Sequence, residues 1–542
     1  MTKMKTKWML LALCGCLGFA CADDDLNPAE ERPGTDEKEE YSYAAVEFRR
    51  LVNGSFRGWT TCEAIAGGEM ADATQTRTVA GMNRFRPVDF HVETPWGGRL
   101  DYGTPQTVRG TEGYFRVAQA DGRWYFLDPD GGAVILHGTQ HVRPYHMDDT
   151  PTAEHEAGYK ARFGSDAAWS AETGRMLASY GINYISYGAK RIARFPDDIR
   201  DNLLSPEYAA PGSISGRRKI AYGENLYLLR TFMWDMTTKL GYDKAFDTGK
   251  YNRLALVFEP RFKEYVEQLA REKCADFVGD PHFVGYYLDN ELPFVAYENS
   301  SNTLGVELKH FLSLPDAYSG ARDFARDFMT REGIASESAI TAAHREKFRA
   351  EVAENYFRIT TEAVRKADPQ HLILGARLHD WSKYTQGIVE ACARYCDAVS
   401  INYYARWQPE PDFMADLAAW CGDRPFIVSE FYVKAADAAY KGRPYVNTDG
   451  GGWLVRTQKN RGEFYQNFCL RLLETRHCAG WMHFEYADGY QDGRGTNKGL
   501  VSVEYQPYTE YLAMMKTLHD NLYALASYYD DAVEADTEVD AE

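Results

Sequence analysis

Basic residues are in deficit in this sequence. Its 542 residues hold 61 Lys and Arg against 79 Asp and Glu, a formal net charge of -18. That deficit excludes a nucleic-acid surface, because a phosphate backbone needs a basic footprint. It also disfavours a highly anionic glycan unless bases gather locally. Other chemistries lack their signatures. There is no HExxH pattern, no complete EF-hand loop and no Cys/His cluster; Asp488 and Asp492 flank Gly489, but their spacing is incomplete for Ca2+. No GxSxG elbow supports a serine hydrolase. No glycine-rich phosphate loop follows the first strand candidate. No metal and no cofactor is therefore implied. Cysteine is sparse and scattered, with no paired CxxC. The seven after Cys21 (Cys62, Cys274, Cys392, Cys396, Cys421, Cys469 and Cys478) read as small buried apolar residues.

Long apolar runs are almost absent too. One covers residues 8–20, follows Lys3, Lys5 and Lys7, and ends at Cys21. It is too short to cross a bilayer and reads as a secretory signal. A cysteine directly after a small residue resembles the lipobox of bacterial lipoproteins, with Cys21 as the lipidated residue. The run Asp23-Asp24-Asp25 resembles the acidic surface-export signal of some gram-negative lipoproteins. The expectation is a secreted protein, lipid-anchored at the outer membrane and facing the cell surface, with residues 1–21 as the signal. Residues 22–41 are acidic and poor in apolar side chains, and read as a flexible tether. Residues 42–112 read as a small strand-containing N-terminal extension. Residues 113–525 read as the catalytic body and 526–542 as an acidic tail.

What is present is aromatic. With 37 Tyr, 27 Phe and 11 Trp, the chain can fill a large core and also offer faces on which sugar rings stack. Within residues 113–131, two short aromatic and β-branched runs flank Asp121-Gly122, a hairpin signature. Beyond it, strand candidates recur near 133–137, 183–187, 227–233, 284–288, 372–376, 398–402, 426–429 and 480–483. Helical stretches such as 261–277, 348–367 and 461–475 lie between them. Eight strands alternating with helices predict a (β/α)8 TIM barrel, with a doubly wound sheet as the rival.

Two of these strands end in glutamate. The fourth runs Val284-Gly285-Tyr286-Tyr287-Leu288-Asp289-Asn290-Glu291 and the seventh Phe426-Ile427-Val428-Ser429-Glu430. C-terminal strand ends face the active site of a barrel, so Glu291 and Glu430 are expected to overhang one pocket. Glycoside cleavage requires such a pair: one carboxyl to protonate the departing oxygen, another to meet the oxocarbenium-like centre. Asp289 is read as structural, with its side chain turned the other way. Asn402 and Tyr404, two apart after the sixth strand, face the same way. Gln140, His141, Arg377 and His379 follow other strands and are candidates to contact sugar hydroxyls.

The pairing of Asn290-Glu291 with Glu430 resembles the large clan of retaining barrel glycosidases. Three longer segments are similar to glycoside hydrolase family 50, the β-agarases: residues 113–131 (GYFRVAQADGRWYFLDPDG), 284–292 (VGYYLDNEL) and 452–473 (GWLVRTQKNRGEFYQNFCLRLL). The resemblance implies a β-linked polysaccharide or oligosaccharide substrate, with β-galactans such as agarose or porphyran as candidates. It implies Glu291 as acid/base and Glu430 as nucleophile. It places Asn290 on the sugar 2-hydroxyl, Tyr404 on the nucleophile, and Trp481 on the floor of the sugar subsite with His483 on the same face. Two differences stand out. Family members carry a larger N-terminal carbohydrate-binding module than the roughly seventy residues available here, and the second strand ends in Ser186-Tyr187-Gly188. The alternatives are an exo-acting β-galactosidase-like enzyme and a non-catalytic glycan-binding lipoprotein.

Overall fold

Eight short segments, fully buried on both faces, pair as parallel strands. They are β1 (Leu136–Gln140), β2 (Tyr184–Ser186), β3 (Ala221–Asn225), β4 (Phe283–Tyr287), β5 (Leu372–Ile373), β6 (Val399–Asn402), β7 (Phe426–Phe431) and β8 (Cys478–His483). The computed structural model describes residues 41–51, 72–87, 94–148, 151–187, 189–207, 218–243, 245–296, 304–447 and 449–539. Cys21, Cys62, the signal and nearly all of the tether lie outside the described residues.

The strand order is 5-4-3-2-1-8-7-6. Strands adjacent in sequence are therefore adjacent in space, with none of the reversal that marks a doubly wound sheet. β5 and β6, at the two ends of this order, are joined by backbone hydrogen bonds. Asp397 N–H donates to the carbonyl of Ile373, Leu378 to Ser400 and Asn402 to Leu378, each at 2.8 Å. An inner apolar cluster that includes Leu136, Tyr184, Val284, Tyr287, Ile427 and Met482 fills the concave side. A larger cluster packs the strands against the helices.

Helices follow each strand. After β1 come α1 (Ala153–Arg162) and α2 (Asp166–Ser179), and after β2 comes α3 (Asp197–Leu204). α4 (Leu228–Thr238) and α5 (Phe262–Cys274) follow β3. α6 (Leu308–Leu312), α7 (Ser319–Arg331) and α8 (Ala342–Ala367) follow β4. α9 (Gln386–Tyr395), α10 (Pro411–Cys421) and α11 (Gln458–Glu474) follow β5, β6 and β7. α12 (Thr509–Asp520) and α13 (Leu522–Val539) close the chain.

The third strand departs from expectation. It is Ala221–Asn225, whereas the segment read as strand, 227–233, opens α4. The reason is periodic: Leu228, Leu229, Phe232, Asp235 and Met236 are buried at helical spacing. The true strand, Ala-Tyr-Gly-Glu-Asn, has no β-branched residue. Gly223 makes it possible, since a Cβ there would lie 2.1 Å from the Tyr184 hydroxyl. The acidic tail also begins later than expected. Residues 526–539 continue α13; Ala526 and Tyr529 are buried, and Asp530 pairs with Arg123 and Arg476. The apolar stripe from Leu522 carries the helix past the composition change. Cys274, Cys392, Cys396, Cys421, Cys469 and Cys478 are buried free thiols.

The predicted hairpin is Arg116–Ala120 paired with Arg123–Leu127, turning through Asp121 and Gly122, both at positive φ. Pro105–Arg109 joins it, so residues 105–109 belong with the hairpin and not with the extension. Its Trp124 N–H bonds the Arg476 carbonyl ahead of β8, which sets the hairpin against the N-terminal ends of the strands. In the extension, Ala44–Leu51 pairs with Asp72–Thr76 and with Gly452–Val455. The latter strand in turn pairs with Lys434–Ala435, just past β7.

Candidate active site

β4 is apolar until its last turn outward, where Leu288-Asp289-Asn290-Glu291 follows. Asp289 is buried and faces α4. Its carboxylate accepts from the amides of Leu229 (2.9 Å) and Arg230 (3.2 Å), and from the Tyr356 hydroxyl (2.8 Å). A carboxylate at exposed amides of a helix N-terminus is a stabilising cap. Asn290 points the other way, and its Oδ1 accepts from Arg377 Nε at 2.7 Å. Glu291 is held at φ 51°. Its Oε1 accepts from Asn402 Nδ2 at 2.8 Å, and His379 Nδ1 lies 3.5 Å away. Burial raises the Glu291 carboxyl above the ordinary glutamate range, opposed by the Asn402 hydrogen bond and by the positive field of Arg377.

β7 delivers Glu430. One carboxylate oxygen accepts from the Tyr404 hydroxyl and the other pairs with Arg377 Nη2. Arg377, with no exposed side-chain surface, also reaches Gln140 Oε1 at 3.2 Å. Its guanidinium lies 4.9 Å from the Tyr187 ring and 5.3 Å from that of Tyr287. Gln140 is fixed in turn by donating to the Ser429 carbonyl. Ser429 Oγ donates to Asn402 Oδ1 at 2.7 Å, which leaves the Asn402 amide nitrogen for Glu291. Two chains of contacts therefore tie β4 to β7, one through Arg377 and one through Asn402. Tyr404 bonds Glu430, and burial, helped by the charge of Glu291, drives its hydroxyl pKa up.

The structure thus gathers Glu291, Glu430, Asn290, Asn402, Tyr404, Gln140, Arg377 and His379 at one end of the strands. Three of these are enclosed by the protein. Arg377, Gln140 and Asn402 are fully buried; of the Arg377 guanidinium, Nε and Nη2 meet protein partners whereas Nη1 has no hydrogen-bond partner among the described residues. Arg377 and Asn402 contact the two glutamates directly, and Gln140 contacts Arg377. His141 stands at the rim, with Nδ1 2.8 Å from Glu485 Oε2 and its ring 4.7 Å from Tyr187.

Trp481 and His483 are corrections. Trp481 faces the helix layer, where its indole N–H donates to Tyr465 at 2.9 Å. His483 is buried beside Tyr511, 5.5 Å between rings. Met482 is the inward residue of β8. The aromatic at the mouth is Phe484, half-buried, whose ring is 6.5 Å from Tyr404, 6.2 Å from Tyr432 and 5.5 Å from His141. It lies one residue past the strand, beyond the reach of strand counting. We therefore expect Trp481→Ala to cost about 3–5 kcal/mol of stability in urea denaturation while leaving the substrate KM of the folded fraction unchanged. A raised KM without destabilisation would return Trp481 to the substrate.

In sequence and fold the chain is family 50 β-agarase-like. It is 23% identical to Beta-agarase B of Vibrio sp. (strain JT0107) over 523 residues, covering 83% of this chain and 53% of that protein. The chain spans about half the length of the curated relatives it matches. The crystal structure of BpGH50 superposes with a TM-score of 0.71 at 25% identity, covering 92% of this chain and 99% of that one. A solved exo-β-agarase shares the fold with a TM-score of 0.62 at 19% identity, covering 81% of this chain and 68% of that one. No family model matches the chain.

Proposed function

We propose that this protein is a retaining glycoside hydrolase of β-linked galactans, agarose and porphyran being the leading candidates, built on a closed (β/α)8 barrel. The observation that carries this reading is the opposite environment of two glutamates in one network. Burial of Glu291 favours its protonated form and outweighs the opposing Asn402 hydrogen bond. Glu430 receives a guanidinium and a phenol, two donors that favour a carboxylate. In this mechanism Glu430 attacks the anomeric carbon while Glu291 protonates the departing oxygen. Glu291 then takes a proton from the water that releases the sugar. Asn290, half-open beside Glu291, is placed for the 2-hydroxyl. The backbone bonds between β5 and β6 support closure of the strand ring. The β-agarase relatives and BpGH50 support the substrate class. The test is a product profile on a panel of red-algal and plant galactans, with NMR of the first-formed anomer; an inverted anomer would rule the mechanism out.

The raised Glu291 carboxyl sets a pH dependence. The Glu291 carboxyl holds its proton to higher pH than an ordinary glutamate, and kcat/KM falls as pH climbs through that shifted value. In Glu291→Gln the alkaline limb should vanish. Hydrolysis of natural galactan should drop about 10^2–10^4-fold, with a much smaller loss for an aryl glycoside whose leaving group needs no proton. Equal losses on both substrates, with the alkaline limb intact, would remove Glu291 from the acid role.

A further inference from the structure

α4 carries a side chain that the catalytic proposal leaves unused. Trp234 is 54% exposed, the only tryptophan among the exposed large hydrophobics of the described residues. Its place on the helix is specific. Tyr227, at the start of α4, puts its hydroxyl against that of Tyr187, the tyrosine whose ring lies beneath Arg377. Arg230 stands one turn on, its guanidinium 5.1 Å from the Tyr227 ring. Trp234 follows a further turn on. Arg230 and Trp234, four apart, share one helix face, and the Arg230 contact joins them to Tyr227, which caps the helix at φ 51°, so the three residues form a file leading away from the site. Seven residues of helix advance about 10 Å.

The direction of that file follows from α5. Thr231 Oγ1 accepts from Lys273 near the end of α5, 3.0 Å, whereas Asp235 accepts from Tyr265 in its first turn, 2.5 Å. The two helices are therefore antiparallel. α5 descends toward β4, so α4 climbs away from the strand ends on the side where Glu291 and Glu430 emerge. Both ends of the helix are held. Asp289, two residues before Glu291, caps its first turn, and Asp235 near its end bonds Tyr265. The platform is thus rigidly registered to the strand that carries the acid.

Resting on the proposed function, we infer that Trp234 and Arg230 form a distal sugar subsite for the galactan chain, the indole stacking on a ring beyond the catalytic one and the guanidinium donating to its hydroxyls. A flat amphipathic ring is suited to the apolar face of a sugar, and five fixed N–H donors suit its oxygens. An exposed tryptophan on a rigid rim provides that surface with little ordering cost on binding.

Kinetics of Trp234→Ala on polymeric galactan and on the shortest oligosaccharide cleaved by the wild type test this. The polymer KM should rise about tenfold, with kcat and the short-substrate kcat/KM unchanged, and Trp234→Phe should recover most of the polymer affinity. Equal effects on both substrates, or none on either, would overturn the subsite. Retardation of Glu430→Gln in agarose and porphyran gels, with and without Trp234→Ala, reads binding apart from turnover. Retardation that depends on Trp234 supports the subsite even where no product is released, an outcome that would sink only the catalytic reading. Retardation indifferent to Trp234, or none, overturns the subsite.

Discussion

Glu430→Ala should abolish galactan cleavage, lowering kcat by about 10^4-fold or more, the scale seen when an enzyme nucleophile is deleted. Azide should then restore turnover and yield a glycosyl azide of inverted configuration. A small anion can enter the space the carboxylate leaves, and it attacks from the same face in a single displacement. Arg377 loses a partner, so a modest fall in thermal stability is expected. Wild-type activity in Glu430→Gln would end the assignment, since an amide cannot form the glycosyl ester.

The second large effect is expected at Arg377, a residue that touches no substrate in this reading. Its guanidinium meets Asn290, Gln140 and Glu430 at once. Arg377→Lys keeps the charge but not the planar fork, and a lysine ammonium cannot span three partners fixed by three different strands. We expect kcat to fall about 10^2-fold or more, in line with misplacement of reacting groups, with little change in KM for the polymer. Arg377→Met should also destabilise the fold by about 3–5 kcal/mol, because it leaves the Glu430 carboxylate buried without its cation. Stopped assays at saturating polymer and thermal melts of both variants measure the two effects. A raised KM with unchanged kcat would instead make Arg377 a substrate ligand.

These two residues also mark what could be read from sequence. Glu291 and Glu430 were legible because each ends an apolar β run, and a parallel strand sends its last residues to the functional face. Arg377 was visible as a residue past a strand, but its role was not. Whether a guanidinium meets sugar or carboxylate depends on the relative height of β1, β4 and β7, which no local pattern encodes. The third strand was missed because Ala221–Asn225 borrows its stability from neighbours on both sides. The more hydrophobic run beside it had the stronger strand-like composition and the helix. Trp481 was drawn inward by analogy. Pairing between β7 and β8 shifts register at Cys478–Gly480, and the inward slot falls to Met482. Phe484 and Trp234 each lie one residue past a strand candidate, 480–483 and 227–233, yet their places differ. One follows a strand end, and the other sits on a helix whose direction only the packing against α5 reveals.

The pairing of Ala44–Leu51 with Gly452–Val455 has a practical corollary for how this protein is expressed and trimmed. Among the described residues, Phe48, Arg49, Arg50 and Leu51 are the backbone neighbours on that edge of the strand running from Gly452 to Val455. That strand leaves Gly451, whose carbonyl receives the Tyr432 hydroxyl, and the Tyr432 ring lies tilted 4.9 Å from that of Tyr404. A clone begun at residue 113, where the family likeness starts, would retain both glutamates and still unstitch the wall behind them. Cleavage ahead of Tyr41 would spare this seam, whereas a nick inside Ala44–Leu51 would open it.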